Sequence, residues 1–165
     1  MTIRRYVLTG APGAGKTTVA DALRERGHTV VSEAATDVIA RGHRGSFVDA
    51  VLALQLQRER DTTGAVQVFD RSPLCTLALA RYLGVTVSAA LSAAALRTAR
   101  RYQRTAFLVQ PLGFVTPTAG RRISYRDSLR FAAIHEDVYR GYGFTLIDVP
   151  KASVAARVAL VEAFL

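Results

Sequence analysis

The stretch Gly10-Ala11-Pro12-Gly13-Ala14-Gly15-Lys16-Thr17-Thr18 restricts what this chain can fold into more than any other part of it. It satisfies the pattern G-x-x-x-x-G-K-[ST], with Gly10, Gly15, Lys16 and Thr17 in the fixed places. The pattern carries meaning only between a strand and a helix, and both flanks fit. Tyr6 to Thr9 reads as a buried strand running in, and Thr17 to Arg26 as a helix running out. A chance glycine turn beside a solvated lysine would lack these flanks. Glycines at 10, 13 and 15 allow backbone angles that a side chain forbids, so successive N–H groups can turn inward around a phosphate. The helix that follows presents its positive end to the same anion. Lys16 is expected at the β and γ phosphates of a nucleoside triphosphate and the Thr17 hydroxyl at Mg²⁺, with Ala11, Pro12, Ala14 and Thr18 completing the cradle.

Length and composition set the frame for this loop. A chain of 165 residues, half of them hydrophobic, is long enough to bury one core as one domain and is not globally disordered. Arginines interrupt every apolar run before it reaches bilayer length, so no membrane segment is expected and a cytoplasmic protein is. Cys75 is the sole cysteine, which excludes an internal disulfide and a cysteine-built metal site; a buried free thiol is the simple reading. The net charge of +9 is almost wholly arginine. It fits either a general coding bias, given the alanine and valine richness, or a surface for nucleic acid.

Strand-like and helix-like segments alternate from the start, which argues for a parallel sheet covered on both faces. His28 to Val31 reads as a second strand ending at Ser32-Glu33, followed by a short helix from Ala34 to Arg41. Ser46 opens the next helix with Asp49 at capping-box spacing; Phe47, Val51, Leu54 and Leu56 form its apolar face, and Gly64 is expected to end it. Val66 to Phe69 is a third strand that terminates in Asp70-Arg71-Ser72-Pro73. Helices from Leu74 to Tyr82 and from Val87 to Tyr102 precede a fourth strand, Ala106 to Val109. Arg97, Arg100, Arg101 and Arg104 read as a solvated face or a nucleic-acid stripe. From about 111 to 126 the periodicity breaks, with Pro111, Gly113, Pro117, Gly120 and the pair Arg121-Arg122, which marks a candidate lid. Ser124 and Asp127 frame another helix, Phe144 to Val149 is the fifth strand, and Ser153 to Leu165 is the last helix.

Ligands of open α/β sheets bind beyond the carboxyl ends of the strands, and both Glu33 and Asp70 fall there. Asp70 can secure the metal or take the proton of an acceptor hydroxyl; otherwise it caps the helix that starts at Pro73. Glu33 can hydrogen-bond an acceptor or cap the helix after it. Arg71 contacts substrate or makes a surface ion pair, and Arg121, Arg122 or Arg126 can fold over the β and γ phosphates.

These residues together resemble the small P-loop kinases of the nucleoside and nucleotide kinase type. Within them the chain is most similar to the compact AAA-labelled ATPases that include the ribosylnicotinamide kinase domain. Glu33 opening a helix, Gln57-Arg58 late in the next helix and Gly120-Arg121-Arg122 carry the likeness; Thr36 and Asp37 stand where many members have an arginine. The resemblance implies a three-layer α/β P-loop NTPase fold, with a five-stranded parallel sheet in the order 2-3-1-4-5, and ATP with Mg²⁺ as cofactors. It further implies that Lys16, Thr17, Asp70 and Arg122 carry phosphoryl transfer, while Glu33, Gln57 and Arg71 face a small hydroxyl acceptor. Two rivals are a nucleotide-dependent binding module with little transfer and a kinase acting on nucleic-acid ends.

Overall fold

The computed structural model describes residues 2–113 and 123–165. Five strands, β1 (Arg4–Thr9), β2 (Thr29–Val31), β3 (Val66–Asp70), β4 (Thr105–Val109) and β5 (Thr145–Val149), pair in parallel in the order β2-β3-β1-β4-β5. This is the order that the resemblance implies. The helices are α1 (Lys16–Glu25), α2 (Ala35–Arg41), α3 (Phe47–Asp61), α4 (Pro73–Leu83), α5 (Ala89–Arg101), α6 (Tyr125–Gly141) and α7 (Val154–Glu162).

Alternation along the strands divides the core into two layers, because successive side chains of a strand point to opposite faces. Tyr6 and Leu8 of β1, Val68 of β3 and Phe107 and Val109 of β4 pack with Val19 and Leu23 of α1 and Val158 and Val161 of α7. Val7, Phe69 and Ala106 face the other way, onto a larger core that includes Leu74, Leu91, Phe131 and Tyr139 from α4, α5 and α6. Phe107 is fully buried in the middle of the sheet, so Phe107→Ala would cost about 3–5 kcal/mol. A third, smaller cluster of Ala34, Val38 and Val51 ties α2 to α3.

Serines start most of the helices. The hydroxyls of Ser46, Ser72, Ser88, Ser124 and Ser153 accept from the backbone N–H groups of Asp49, Leu74, Leu91, Asp127 and Ala156, each worth roughly 1 kcal/mol. Helix α4 ends at Gly84, with φ 66°. Helix α3 stops before Gly64, at Asp61: Thr62 turns to extended backbone and its hydroxyl donates to the Arg58 carbonyl at 2.6 Å. The inward face of α3 is Val48, Val51 and Leu52, whereas Phe47, Leu54 and Leu56 are only partly buried. Among the described residues no helix is long and apolar enough to cross a membrane.

Candidate active site

Strand register brings the chemistry together. Leu8 of β1 pairs with Asp70 of β3, so the carboxylate stands beside the point where β1 runs into the glycine loop. Gly10 has φ 125°, and a Cβ there would lie 2.6 Å from the Val109 carbonyl oxygen, so the loop can cross the end of β4 only with glycine at this position. The loop wraps to the start of α1 with Gly13 and Gly15 also at positive φ. Lys16 is buried and donates to the Ala11 carbonyl at 2.5 Å, which holds its ammonium within the loop.

The rear of the loop is fixed by a residue that sequence reasoning missed. Arg157 of α7 is 3% exposed, and its guanidinium donates to three carbonyls: Ala14 at 2.6 Å, Gln110 at 2.9 Å and Pro150 at 2.9 Å. One planar fork therefore ties the phosphate loop to the ends of β4 and β5. Burial lowers its pKa from the usual arginine value. Its spacing along α7 carries no signal, because its partners lie in three distant turns.

Thr17 donates its hydroxyl to Asp70 Oδ2 at 2.8 Å. The other oxygen, Oδ1, is buried and has no hydrogen-bond partner among the described residues. Burial raises the Asp70 pKa, opposed by the nearby charges of Lys16 and Arg71 and by the Thr17 hydrogen bond. Asp70 does not cap the next helix, since Ser72 does. The orphaned oxygen beside the Thr17 hydroxyl, at the mouth of a cradle that a Cβ would obstruct, suits a hydrated Mg²⁺ on a triphosphate.

Glu33 caps the helix after it. Its carboxylate accepts from Ala35 N–H at 2.8 Å and Thr36 N–H at 3.0 Å, capping α2, and it also lines the main cavity. Arg58 of α3 donates to the carbonyls of Ser32, at 3.1 Å, and Glu33 and pairs with Asp37, so it clamps the turn that carries Glu33. Gln57 is a correction: it is exposed and does not line the cavity, whereas Gln55 does. Two residues on a helix are about 200° apart, and Gln55 continues the buried stripe of Val48, Val51 and Leu52. Gln55 donates to the Ser72 carbonyl at 3.3 Å and accepts from the Thr76 hydroxyl at 2.6 Å.

Arg71 is the one described non-glycine residue with positive φ, 79°, a conformation that costs of order 1–3 kcal/mol. Its N–H donates to the Leu8 carbonyl at 3.1 Å and its side chain lines the cavity. Its Nη1 lies 3.4 Å from His135 Nε2. His135 is fully buried in α6 with Nδ1 2.8 Å from the Phe131 carbonyl, so Nδ1 carries the proton and Nε2 accepts from Arg71. Burial, followed by the Arg71 charge, holds the His135 pKa well below its ordinary value, and the ring is neutral. Arg121 and Arg122, and most of the expected lid, lie outside the described residues. Leu112 and Ile123, on either side of that segment, line the cavity, while Arg126 is exposed at the start of α6. Arg97, Arg100, Arg101 and Arg104 are exposed, with Arg101 3.3 Å from Glu59 and Arg104 donating to the Tyr142 carbonyl at 2.8 Å.

Lys16, Thr17, Glu33, Gln55 and Arg71 border one cavity of about 550 Å³. It runs from Pro12, Lys16 and Thr17 of the loop to Ile39, Phe47 and Phe131 of three helices.

A family model described as AAA domain matches residues 5–157. Among solved structures, the thymidylate kinase of Ehrlichia chaffeensis is similar over 100% of both chains, with a TM-score of 0.69 at 10% identity. The deoxyadenosine kinase of M. mycoides, bound to dCMP and dCDP, is similar over 97% of both, with a TM-score of 0.61 at 13% identity. No curated protein matches the sequence. At such identities the likeness is one of fold, that of the small P-loop nucleoside and nucleotide kinases.

Proposed function

This chain belongs to the AAA domain family, and from that premise we propose that it is an ATP- and magnesium-dependent kinase that phosphorylates a hydroxyl of a small acceptor. The continuity of the cavity carries the reading: the phosphate loop and the side-chain wall around Gln55 and Arg71 enclose one space. A switch that only bound nucleotide would need no such room in front of the terminal phosphate. The two kinases of like fold support it by analogy.

In the transfer step a bond forms between the acceptor oxygen and the terminal phosphorus while the bond to the ADP oxygen breaks. Magnesium, when bound, screens the phosphate charges. Thr17 and Asp70 are the side chains that would hold it, and Lys16 sets positive charge at the loop. The Asp70 carboxylate, which accepts from the Thr17 hydroxyl of the loop, is also assigned to receive the acceptor proton. Arg71, held by His135, and the lid arginine Arg122, with Arg121 beside it, are assigned to the migrating group. Glu33 is pinned by α2, so it presents a fixed edge to the acceptor.

Calorimetry with Mg–ATP, followed by ADP-release assays over a panel of hydroxyl acceptors, tests the reading. Binding of ATP with acceptor-stimulated ADP formation is expected. Well-folded protein that binds neither ATP nor GTP would overturn it, as would hydrolysis indifferent to every acceptor.

A further inference from the structure

Helix α6 grips the turn that follows β3 at two consecutive residues. The Tyr139 hydroxyl lies 2.7 Å from the Ser72 hydroxyl and 3.2 Å from Cys75 Sγ. One helical turn earlier, His135 Nε2 meets Arg71 Nη1 at 3.4 Å. Residues four apart on a helix share a face, so a single stripe of α6 holds both Arg71 and Ser72. The Arg71 backbone is fixed separately, by its φ of 79° and by its N–H on the Leu8 carbonyl. What this leaves to set is the direction of its long side chain.

The His135 ring suits that task because it is itself held. It is fully buried, its Nδ1–H donates to the Phe131 carbonyl at 2.8 Å, and the Phe131 ring packs on it with centroids 4.4 Å apart. Arginine keeps its protons, so the lone pair at the contact belongs to the imidazole. A neutral acceptor orients a guanidinium without cancelling its charge, whereas a carboxylate in the same place would offset it. Among the described residues Arg71 forms no ion pair, and residues 114–122 include no Asp or Glu. Arg71 and Lys16 both line the cavity, and the charges of both act on Asp70 and on His135. An anionic group seated at the loop therefore meets two cations, one tied to the Ala11 carbonyl and the other to an imidazole.

We propose that His135 is a positioning residue for phosphoryl transfer: it aims Arg71 at the terminal phosphoryl group of the bound triphosphate and touches no reacting atom itself. This role rests on the transfer reading above. It gives α6 a part in the chemistry that its place behind the cavity wall does not announce, since His135 reaches the site only through Arg71.

A pair of affinities tests this without the natural acceptor. The non-hydrolysable analogue AMP-PNP and ADP, each with Mg²⁺, would be titrated by calorimetry into the unaltered protein and its variants. ADP lacks the terminal group, so its affinity reports folding and the loop alone. Arg71→Met is expected to weaken AMP-PNP about tenfold and His135→Leu about fivefold, with ADP affinity held within about twofold in both. In the Arg71→Met background, adding His135→Leu should change the AMP-PNP to ADP ratio no further, because the group it acts through is gone. A merely structural His135 would weaken both nucleotides alike, or would weaken AMP-PNP as much in that background as alone. Either result would overturn the proposal, and so would an unchanged ratio in His135→Leu.

Should the buried His135 variants fail to fold, nitrogen-15 spectra of the imidazoles decide, since the chain has only 3 histidines. The His135 Nε2 resonance should respond to Mg–AMP-PNP and not to Mg–ADP, and Arg71→Met should abolish the response. Indifference to AMP-PNP in the unaltered protein would overturn the proposal. An unaltered protein that binds neither nucleotide removes the transfer reading itself; intact binding with an unmoved ratio removes only the role given to His135.

Discussion

The two ends of the cavity are built from different materials. At the phosphate end, backbone sets the geometry: Gly10 passes 2.6 Å from Val109 O by the measure of an added Cβ, and Arg157 fastens the loop through three carbonyls. At the acceptor end, side chains from α2, α3, α4 and α6 converge, and their positions depend on how those helices pack. A site made of backbone tolerates few sequences and so advertises itself; a site made of side chains can be repacked for a new ligand without touching the fold. The two ends should therefore fail differently under substitution.

The largest effect should come where the ends meet. Asp70→Asn is expected to lower turnover roughly 10³-fold by removing the proton acceptor and the metal-facing charge, with ATP affinity changed by less than about threefold. Stability should go the other way. The folded pKa of Asp70 is raised above its unfolded value, so the stability it contributes is present at low pH and lost as pH rises through the folded pKa. Above that pKa the buried charge is a burden, and there the amide variant should melt at the same temperature or higher. A fall in melting temperature with turnover intact would assign Asp70 to structure alone.

Arg157→Leu should show the reverse pattern. Three carbonyls, one buried and two partly buried, lose their donors, at a cost of about 3 kcal/mol, which for a chain of 165 residues lowers the melting temperature by roughly 10 °C. Nucleotide affinity should fall with the loop anchor, while acceptor affinity in the folded fraction is unaffected. Thermal melts with and without Mg–ATP measure both quantities. An unchanged melt would mean that the loop holds its shape without the fork.

A pH effect of intermediate size belongs to the acceptor end. His135 is neutral and buried, with a folded pKa depressed below the unfolded value of about 6.5. Stability is therefore at full strength above that value and declines as pH falls below it, by about 2 kcal/mol between pH 7.5 and 5. Urea melts across this range should show the slope, and His135→Leu should flatten it. Retention of the slope in the variant would place its origin elsewhere.

What could be read from the letters follows the same division. The phosphate loop, the strand tips carrying Glu33 and Asp70, and the capping serines at 46 and 124 are local patterns, so spacing alone locates them. The sheet order needed a family resemblance, because nothing local says which strands pair. Arg157 went unseen because its three partners are set by tertiary packing. The strain at Arg71 was hidden as well, since only Asn, Asp and Gly commonly announce left-handed backbone. Helix α3 is the instructive middle case: its stripe of 48, 51, 52 and 55 is present in the sequence, but apolar residues at 47 and 54 offer a competing face. Which face wins depends on what packs against it.

That competition yields the smallest prediction, and it acts on α3 alone. Gln57→Ala removes an exposed side chain from the far side of the helix, so acceptor KM should move by less than about twofold and stability by less than about 0.5 kcal/mol. Gln55→Ala strips the Ser72 carbonyl and the Thr76 hydroxyl of a partner inside the cavity wall. It should cost about 1 kcal/mol of stability and raise acceptor KM severalfold, with KM for ATP unchanged. Because the two glutamines share one helix, a general loosening of α3 would affect both variants alike. If Gln57→Ala proved the more damaging, the inward face of α3 would have to be the one that carries Phe47, Leu54 and Gln57, and the acceptor wall would have to be rebuilt around it.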